Sequence, residues 1–187
     1  MRPNRRPLLW VLLVFAAPLV FAFWLYYGTG WRPAQRTNHG ALILPPVSLP
    51  ALPLSGGPAN ALSGKWSLVV VGSGDAGCDN ECRGALVYAR QTWLSLGKLA
   101  PRVQRVLLAG EQCCDRNYLR DEHEGLLVAA LPDRAVATVL QAMPAPRSRA
   151  IYVVDPLGNL MMRYDVSQDP KGLREDLKNL LELSHIG

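Results

Sequence analysis

The sequence predicts an α/β domain, with a mixed central sheet and helices on both faces, carried behind one membrane-spanning helix. Three observations predict it. Leu8 to Tyr27 is a charge-free apolar run of twenty residues. Trp66–Val71, Val103–Ala109 and Ala150–Val154 are short apolar runs rich in β-branched residues and bounded by turn signals, as buried strands are. Between and after them, apolar residues recur at three- and four-residue spacing, as on the buried face of a helix.

The apolar run comes first. At about 1.5 Å per residue, twenty helical residues cover roughly the 30 Å of a bilayer's hydrocarbon. Trp10 lies near one end, and Trp24, Tyr26, Tyr27 and Trp31 near the other, as an aromatic belt would. Pro18 sits mid-run, where a membrane helix tolerates a kink. A cleaved signal peptide has a shorter apolar core that ends in small residues. This run is longer and ends in bulky aromatics, so an uncleaved anchor is expected. Arg2, Arg5 and Arg6 precede it, and the positive-inside rule keeps them in the cytoplasm. The expected organisation is a cytoplasmic basic tail at 1–7, a transmembrane helix at 8–27, a proline-rich linker at 28–63 and a folded domain at 64–187. That domain faces the far side of the membrane.

The linker holds Pro33, Pro45, Pro46, Pro50, Pro53 and Pro58, which remove donors and fix φ. Ala41–Leu44 is its one candidate strand. Trp66–Val71 then reads as a buried strand that ends at Gly72-Ser73-Gly74. Arg83–Leu99 reads as a helix, with Gly97 and Pro101 marking its end. Val103–Ala109 is the next strand. Gly110–Glu124 is a polar stretch that carries cysteines. Leu126–Leu131 is a further short strand, and Asp133 is a candidate cap for a helix through about Ala142. Ala150–Val154, the turn Asp155–Asn159 and Leu160–Tyr164 form a hairpin. Pro170 opens a last helix, with Leu173, Leu177, Leu180 and Leu181 on one face. A βαβ unit followed by a ββα unit is the thioredoxin-like architecture. Its right-handed crossover places the loops after Val71 and Ala109 on one sheet edge, at the carboxyl ends of the strands.

Composition narrows the function. The 187 residues carry a net charge of +5 that is dispersed apart from the N-terminal arginines, so no nucleic-acid partner is read from it. The four cysteines, Cys78, Cys82, Cys113 and Cys114, all lie in the exported part, where thiols tend to oxidise. Their spacing is not that of a zinc site. No Ser-His-Asp set, phosphate loop or paired-carboxylate motif is evident.

Cys78 and Cys82 follow the first strand and begin the first helix. Residues four apart on a helix have Cβ atoms about 5–6 Å apart, and a disulfide needs about 3.8 Å. Closing the pair requires the loop or first turn to adjust, which suits a reversible bond. A helix N-terminus favours thiolate, whereas Asp75, Asp79 and Glu81 oppose it. Two soft thiolates also suit Cu(I). A plain structural disulfide is the alternative. For Cys113 and Cys114 several readings stay open. They can bond to each other with a strained peptide, exchange with Cys78 or Cys82 across the same edge, complete a three-thiol Cu(I) site, or simply pack. His123, flanked by Asp121-Glu122 and Glu124, reads as a solvated loop residue and a weak metal candidate. His39 reads as a packing or turn residue, and His185 lies on a fraying terminus.

Leu62–Gly72 followed by Cys78-x3-Cys82, together with Ala150–Gly158, resembles the Sco family of cytochrome c oxidase assembly factors. The resemblance extends from about Gly64 to the C-terminus. It is nearer still to small Sco-like membrane proteins of proteobacteria that are linked to oxidase assembly genes. The segments Gly30-Trp31-Arg32-Pro33, Asn38-His39-Gly40, and Gly84-x-Leu86 leading to Arg90-Gln91 carry that likeness. It implies a thioredoxin fold in the bacterial inner membrane, single-pass, with a periplasmic domain. It also implies Cu(I) or thiol-disulfide handling, and partners among cytochrome c oxidase subunits, assembly factors or a periplasmic thiol-disulfide oxidoreductase. Two departures stand out. Asp79 and Arg83 replace the prolines after the family's cysteines, and Arg147 falls where the family's histidine ligand is placed. Arginine stays protonated and does not ligate copper, but near the cysteines it favours thiolate. The expected function is therefore a membrane-anchored thiol-disulfide accessory of oxidase assembly. If it is an enzyme, it is a thiol-disulfide oxidoreductase. The alternative is a non-catalytic docking protein on the same fold.

Overall fold

The structure is a computed structural model, and it describes residues 6–29, 38–52, 60–72, 78–110, 113–145, 147, 149–167 and 170–187. The basic tail before Arg6, the Gly30–Pro33 motif, Ser73, Gly74 and Asp75 lie outside the described residues. The chain divides into two units, Met1–Thr37 and Asn38–Gly187.

In the first unit, helix α1 spans Arg6–Gly28 with Pro18 inside it. Its stretch Trp10–Gly28 is long and apolar enough to cross a membrane, and none of it is buried against protein. Phe15, Phe21, Phe23 and Trp24 are exposed, as side chains meant for lipid are.

The second unit is built on one six-stranded sheet. Its strands are β1 (Ala41–Ser48), β2 (Trp66–Val71), β3 (Val103–Gly110), β4 (Leu126–Leu131), β5 (Ala150–Val154) and β6 (Asn159–Asp165). Their spatial order is β1-β6-β5-β2-β3-β4. β2, β3 and β4 run parallel. β5 is antiparallel to β2, β6 to β5, and β1 to β6. Helices α2 (Asn80–Ser95), α3 (Arg116–Glu122), α4 (Asp133–Ala142) and α5 (Pro170–Leu183) complete the unit. A 3-10 turn at Gly97–Arg102 follows α2. This is the expected thioredoxin-like arrangement.

The alternation of side chains along each strand sorts the core into two layers. Leu68, Val70, Leu107, Ile151 and Val153 face one side with Leu86 and Ala89 of α2 and Leu173, Leu177 and Leu181 of α5. Val69, Val71, Val106, Leu108, Tyr152 and Val154 face the other with Val139 of α4 and with Leu49, Leu52 and Leu62. Both faces of the central strands are buried. That is why their sequences read as continuous apolar runs rather than alternating ones. Each fully buried Leu here contributes about 1.5–3 kcal/mol relative to its exposed state.

Four elements differ from expectation. β1 continues past Leu44 to Ser48, through a cis Leu44–Pro45 bond and an irregular register against β6. An edge strand can carry proline because one row of its donors faces away from the sheet. The second unit thus begins at Asn38, within the segment read as linker. α2 starts at Asn80 rather than Arg83 because Asp79 caps it. The cysteine-bearing stretch contains a helix, α3, capped by Asp115, whose carboxylate accepts from the N–H groups of Asn117 and Tyr118. At α4 the N-cap position is Pro132, without a side-chain cap bond.

Candidate functional site

β2 and β3 are adjacent and parallel, with Val71 level with Leu108. Their carboxyl ends therefore open side by side, about 4.8 Å apart. Both cysteine pairs follow these ends. Cys78 stands one residue before the N-cap of α2, and Cys82 is the third residue of the helix. Asp79 has extended backbone and its Oδ1 accepts from the Cys82 N–H at 2.8 Å. This cap holds the first turn and aims Cys82 back at the loop. The two cysteines form a disulfide with Cα atoms 5.1 Å apart, inside the usual range. Cys78 lies outside the helix, so the bond closes without distorting the helical turn. Cys82 is 0% exposed, whereas Cys78 is only partly buried.

Cys113 and Cys114 form a second disulfide, between adjacent residues. Both are half-buried. Among the described residues Cys114 is the one non-glycine with positive φ, 76°. A non-glycine residue held there costs about 1–3 kcal/mol. The Cys113 Sγ rests over Gly72, where a Cβ would stand 3.1 Å from it. Gly72 in turn donates its N–H to Leu108 O at 2.8 Å. A side chain at this position would crowd the sulfur at the end of β2.

His123 is 2% exposed at the C-cap of α3, which corrects the reading of a solvated loop. Its Nε2 lies 3.1 Å from the Tyr118 hydroxyl, and the two rings meet edge to face at 5.2 Å. Its Nδ1 is buried without a hydrogen-bond partner. Burial, followed by the nearby charges of Arg105 and Arg90, pushes its pKa below the ordinary value, so the ring is neutral at neutral pH. His123 and Cys113 line one open cleft of about 630 Å³, whose floor is Leu126, Val128 and Ala130 of the edge strand β4. The Arg83 guanidinium, next to Cys82, lies 5.0 Å over the Tyr118 ring. It ties the start of α2 to α3.

The Arg147 guanidinium is bonded to main-chain carbonyls at the end of α4. Its Nη2 donates to Leu140 O at 2.7 Å and its Nε to Met143 O at 3.2 Å. The guanidinium thereby caps the carboxyl end of α4. The sequence reading missed Arg105, a buried β3 arginine that stacks on Trp93 and donates to the Glu124 carbonyl. Nothing in its local pattern marks it, because a lone Arg in an apolar run also reads as an edge residue. Among the described residues no cluster of three His, Cys, Asp or Glu side chains could hold a metal. The first pair offers two sulfurs as donors. The third-ligand position of the Sco likeness holds Arg147, which does not ligate copper, so among the described residues a site with a histidine at that position does not fit.

Comparison with known proteins supports the fold. The structure is similar to copper-bound ScoI of Bradyrhizobium japonicum, with a TM-score of 0.52 and 20% identity over 72% of this chain and 96% of that one. It is similar to copper-bound yeast Sco1, with a TM-score of 0.56 and 18% identity over 80% and 96%. It is also similar to copper-bound ScoI of Arabidopsis thaliana, with a TM-score of 0.55 and 16% identity over 74% and 98%. No curated protein sequence matches the chain. The family described as transmembrane-like, thioredoxin-like, C-terminal domain matches residues 66–184. The match covers well over half of the chain, which therefore belongs to that family.

Proposed function

We propose that this chain is a membrane-anchored thiol-disulfide accessory protein acting on the periplasmic side of a bacterial inner membrane, in cytochrome c oxidase assembly. Its task there is to reduce the cysteines of copper sites. The observation that carries the reading is the Cys78–Cys82 pair. It follows the carboxyl end of β2, with one partly buried cysteine on a loop and one fully buried cysteine in a capped first turn. An exposed attacking thiol backed by a sheltered resolving thiol is what exchange with a partner requires. The thioredoxin-like family and the oxidase-linked sequence likeness support the setting.

Cu(I) held by the two reduced sulfurs is the second reading. It is favoured by the copper-bound forms of the structurally similar Sco proteins and by the softness of paired thiolates. One experiment separates the readings. Full-length protein is reduced with a dithiol and alkylated, with and without one equivalent of Cu(I). The redox reading expects reversible loss of the Cys78–Cys82 bond, with Cys78 alkylated faster than Cys82 and little protection by copper. Strong copper protection of both residues moves the assignment to copper carriage. A pair that dithiols never reduce while the protein stays folded overturns both readings and leaves a docking protein.

A further inference from the structure

The protein repeats one local design. β2 leads to Cys78, then to Asp79 as the cap of α2. β3 leads to Cys113-Cys114, then to Asp115 as the cap of α3. The two strands are parallel neighbours, so the two designs stand side by side on one edge. All four cysteines also meet the same face of the sheet. Cys82 belongs to the core layer under α2 and α5, and Cys78, Cys113 and Cys114 pack against that layer. A Cβ added to Gly72, just past the end of β2, would stand 3.1 Å from the Cys113 sulfur. The Arg83–Tyr118 contact joins the helices that follow the two pairs. The positive φ of Cys114 marks a local strain that the surroundings maintain.

From these placements we infer that Cys113–Cys114 is a second redox centre, in direct exchange with Cys78–Cys82. The inference rests on the redox reading of the first pair. With that pair reduced, the Cys78 thiolate attacks the Cys113 Sγ. The Cys113–Cys114 bond breaks, and its electron pair leaves on the Cys114 sulfur, which takes a proton from water. The buried Cys82 thiolate then attacks the Cys78 Sγ. The Cys78–Cys113 bond breaks, its electron pair stays on Cys113, and that sulfur is protonated in turn. One disulfide has formed and one has broken, and two electrons have crossed between the pairs without an outside oxidant. A partner protein dithiol reloads the Cys78–Cys82 pair. The reduced Cys113, open to the cleft beside His123, delivers the electrons to a partner disulfide. The protein thereby presents separate input and output thiols.

The test uses the full-length chain in detergent. Cys82→Ser leaves a Cys78 thiol facing the intact second pair, and Cys114→Ser leaves a Cys113 thiol facing the intact first pair. Both variants are expected to converge on the same Cys78–Cys113 bond, read by peptide mass spectrometry after acid quenching, in a yield independent of protein concentration. In Cys82→Ser the alkylated thiol is then mostly Cys114, and Cys78 labelling falls to a minor fraction. Folded variants that keep Cys78 or Cys113 as the free thiol, or that cross-link only between molecules, overturn the relay. If the variants do not fold, the unaltered chain decides. After one equivalent of dithiol and acid quenching, a Cys78–Cys113 peptide supports the relay, and only the two original pairings overturn it. Failure of the redox reading itself is distinct. There the Cys78–Cys82 bond resists dithiol in the folded protein, whereas a failed relay leaves that bond reducible with no cross-paired species.

Discussion

The Asp176 carboxylate, on α5, holds together segments far apart in the chain. Its Oδ2 accepts from the backbone N–H of His39 at 2.8 Å, the N–H of Gly40 at 3.0 Å and the Tyr164 hydroxyl at 2.7 Å. Its Oδ1 lies 3.1 Å from His39 Nδ1. Gly40 has no room for a side chain, because a Cβ would run into Tyr164 and Met162. The Asn38-His39-Gly40 segment, visible in the sequence only as a likeness to other membrane proteins, is thus a clasp that starts the folded unit. Burial alone would raise the Asp176 pKa, but the bonds from Tyr164, Gly40 and His39 outweigh it and hold the pKa below the ordinary carboxylate value. Burial and the same carboxylate push the Tyr164 hydroxyl far up, so it stays a donor. A depressed carboxylate stabilises the fold above its unfolded pKa of about 4, and this contribution is lost as pH falls through the folded pKa. Asp176→Asn is therefore expected to cost about 1.5–3 kcal/mol at pH 7, the worth of hydrogen bonds to a charged group. The gap from wild type should narrow below about pH 4. Urea unfolding at pH 7 and pH 3 checks this, and a gap that widens on acidification contradicts it.

At the scale of elements, the strands and the long helices were legible because burial on two faces or on one stripe leaves a periodic record. α3 was not. It has seven residues, Arg-Asn-Tyr-Leu-Arg-Asp-Glu, and only Leu119 among them is fully buried. About two turns with one anchor leave no periodicity to count. Asp115, a residue type preferred at N-caps, was the available signal. The same signal at Asp79 moves the start of α2 ahead of Cys82, so that the cysteine lies within the first turn. His123 had no signal at all. Its ring packs against Tyr118, while its sequence neighbours are charged. The caps can be tested directly. Asp79→Ala removes the bond to the Cys82 N–H and is expected to lower stability by about 1 kcal/mol, whereas Asp79→Asn keeps most of it. Thermal unfolding of the two variants with the disulfides intact checks this. Equal stability of Asp79→Ala and wild type would show that the disulfide alone holds the turn.

At the scale of the whole molecule, the order of elements was enough to imply the sheet, because parallel neighbours need a right-handed crossover and hairpins do not. The extra edge strand β1 was only half legible, since Pro45 and Pro46 disguise it as linker. The two units also differ in what their apolar side chains are for. In α1 they are exposed on every side, and in the sheet unit they are buried in two layers. Water supports the second arrangement, and a lipid bilayer suits the first, as the proposed membrane anchor expects. Arg2 and Arg5 precede α1 and Arg6 opens it, and under the proposed function this charge bias puts the sheet unit on the opposite side of the membrane. This leads to a topological prediction. In bacterial cells with a permeabilised outer membrane and an intact inner one, a membrane-impermeant maleimide applied after mild reduction should label Cys78. Trypsin added from the same side should digest the sheet unit and leave a membrane-retained fragment containing α1. The protein should also stay with the membranes through an alkaline wash. Labelling that appears only after the inner membrane is lysed would place the cysteines in the reducing cytoplasm. There a standing disulfide is not maintained, and the proposed export of electrons to oxidase cysteines would have no route.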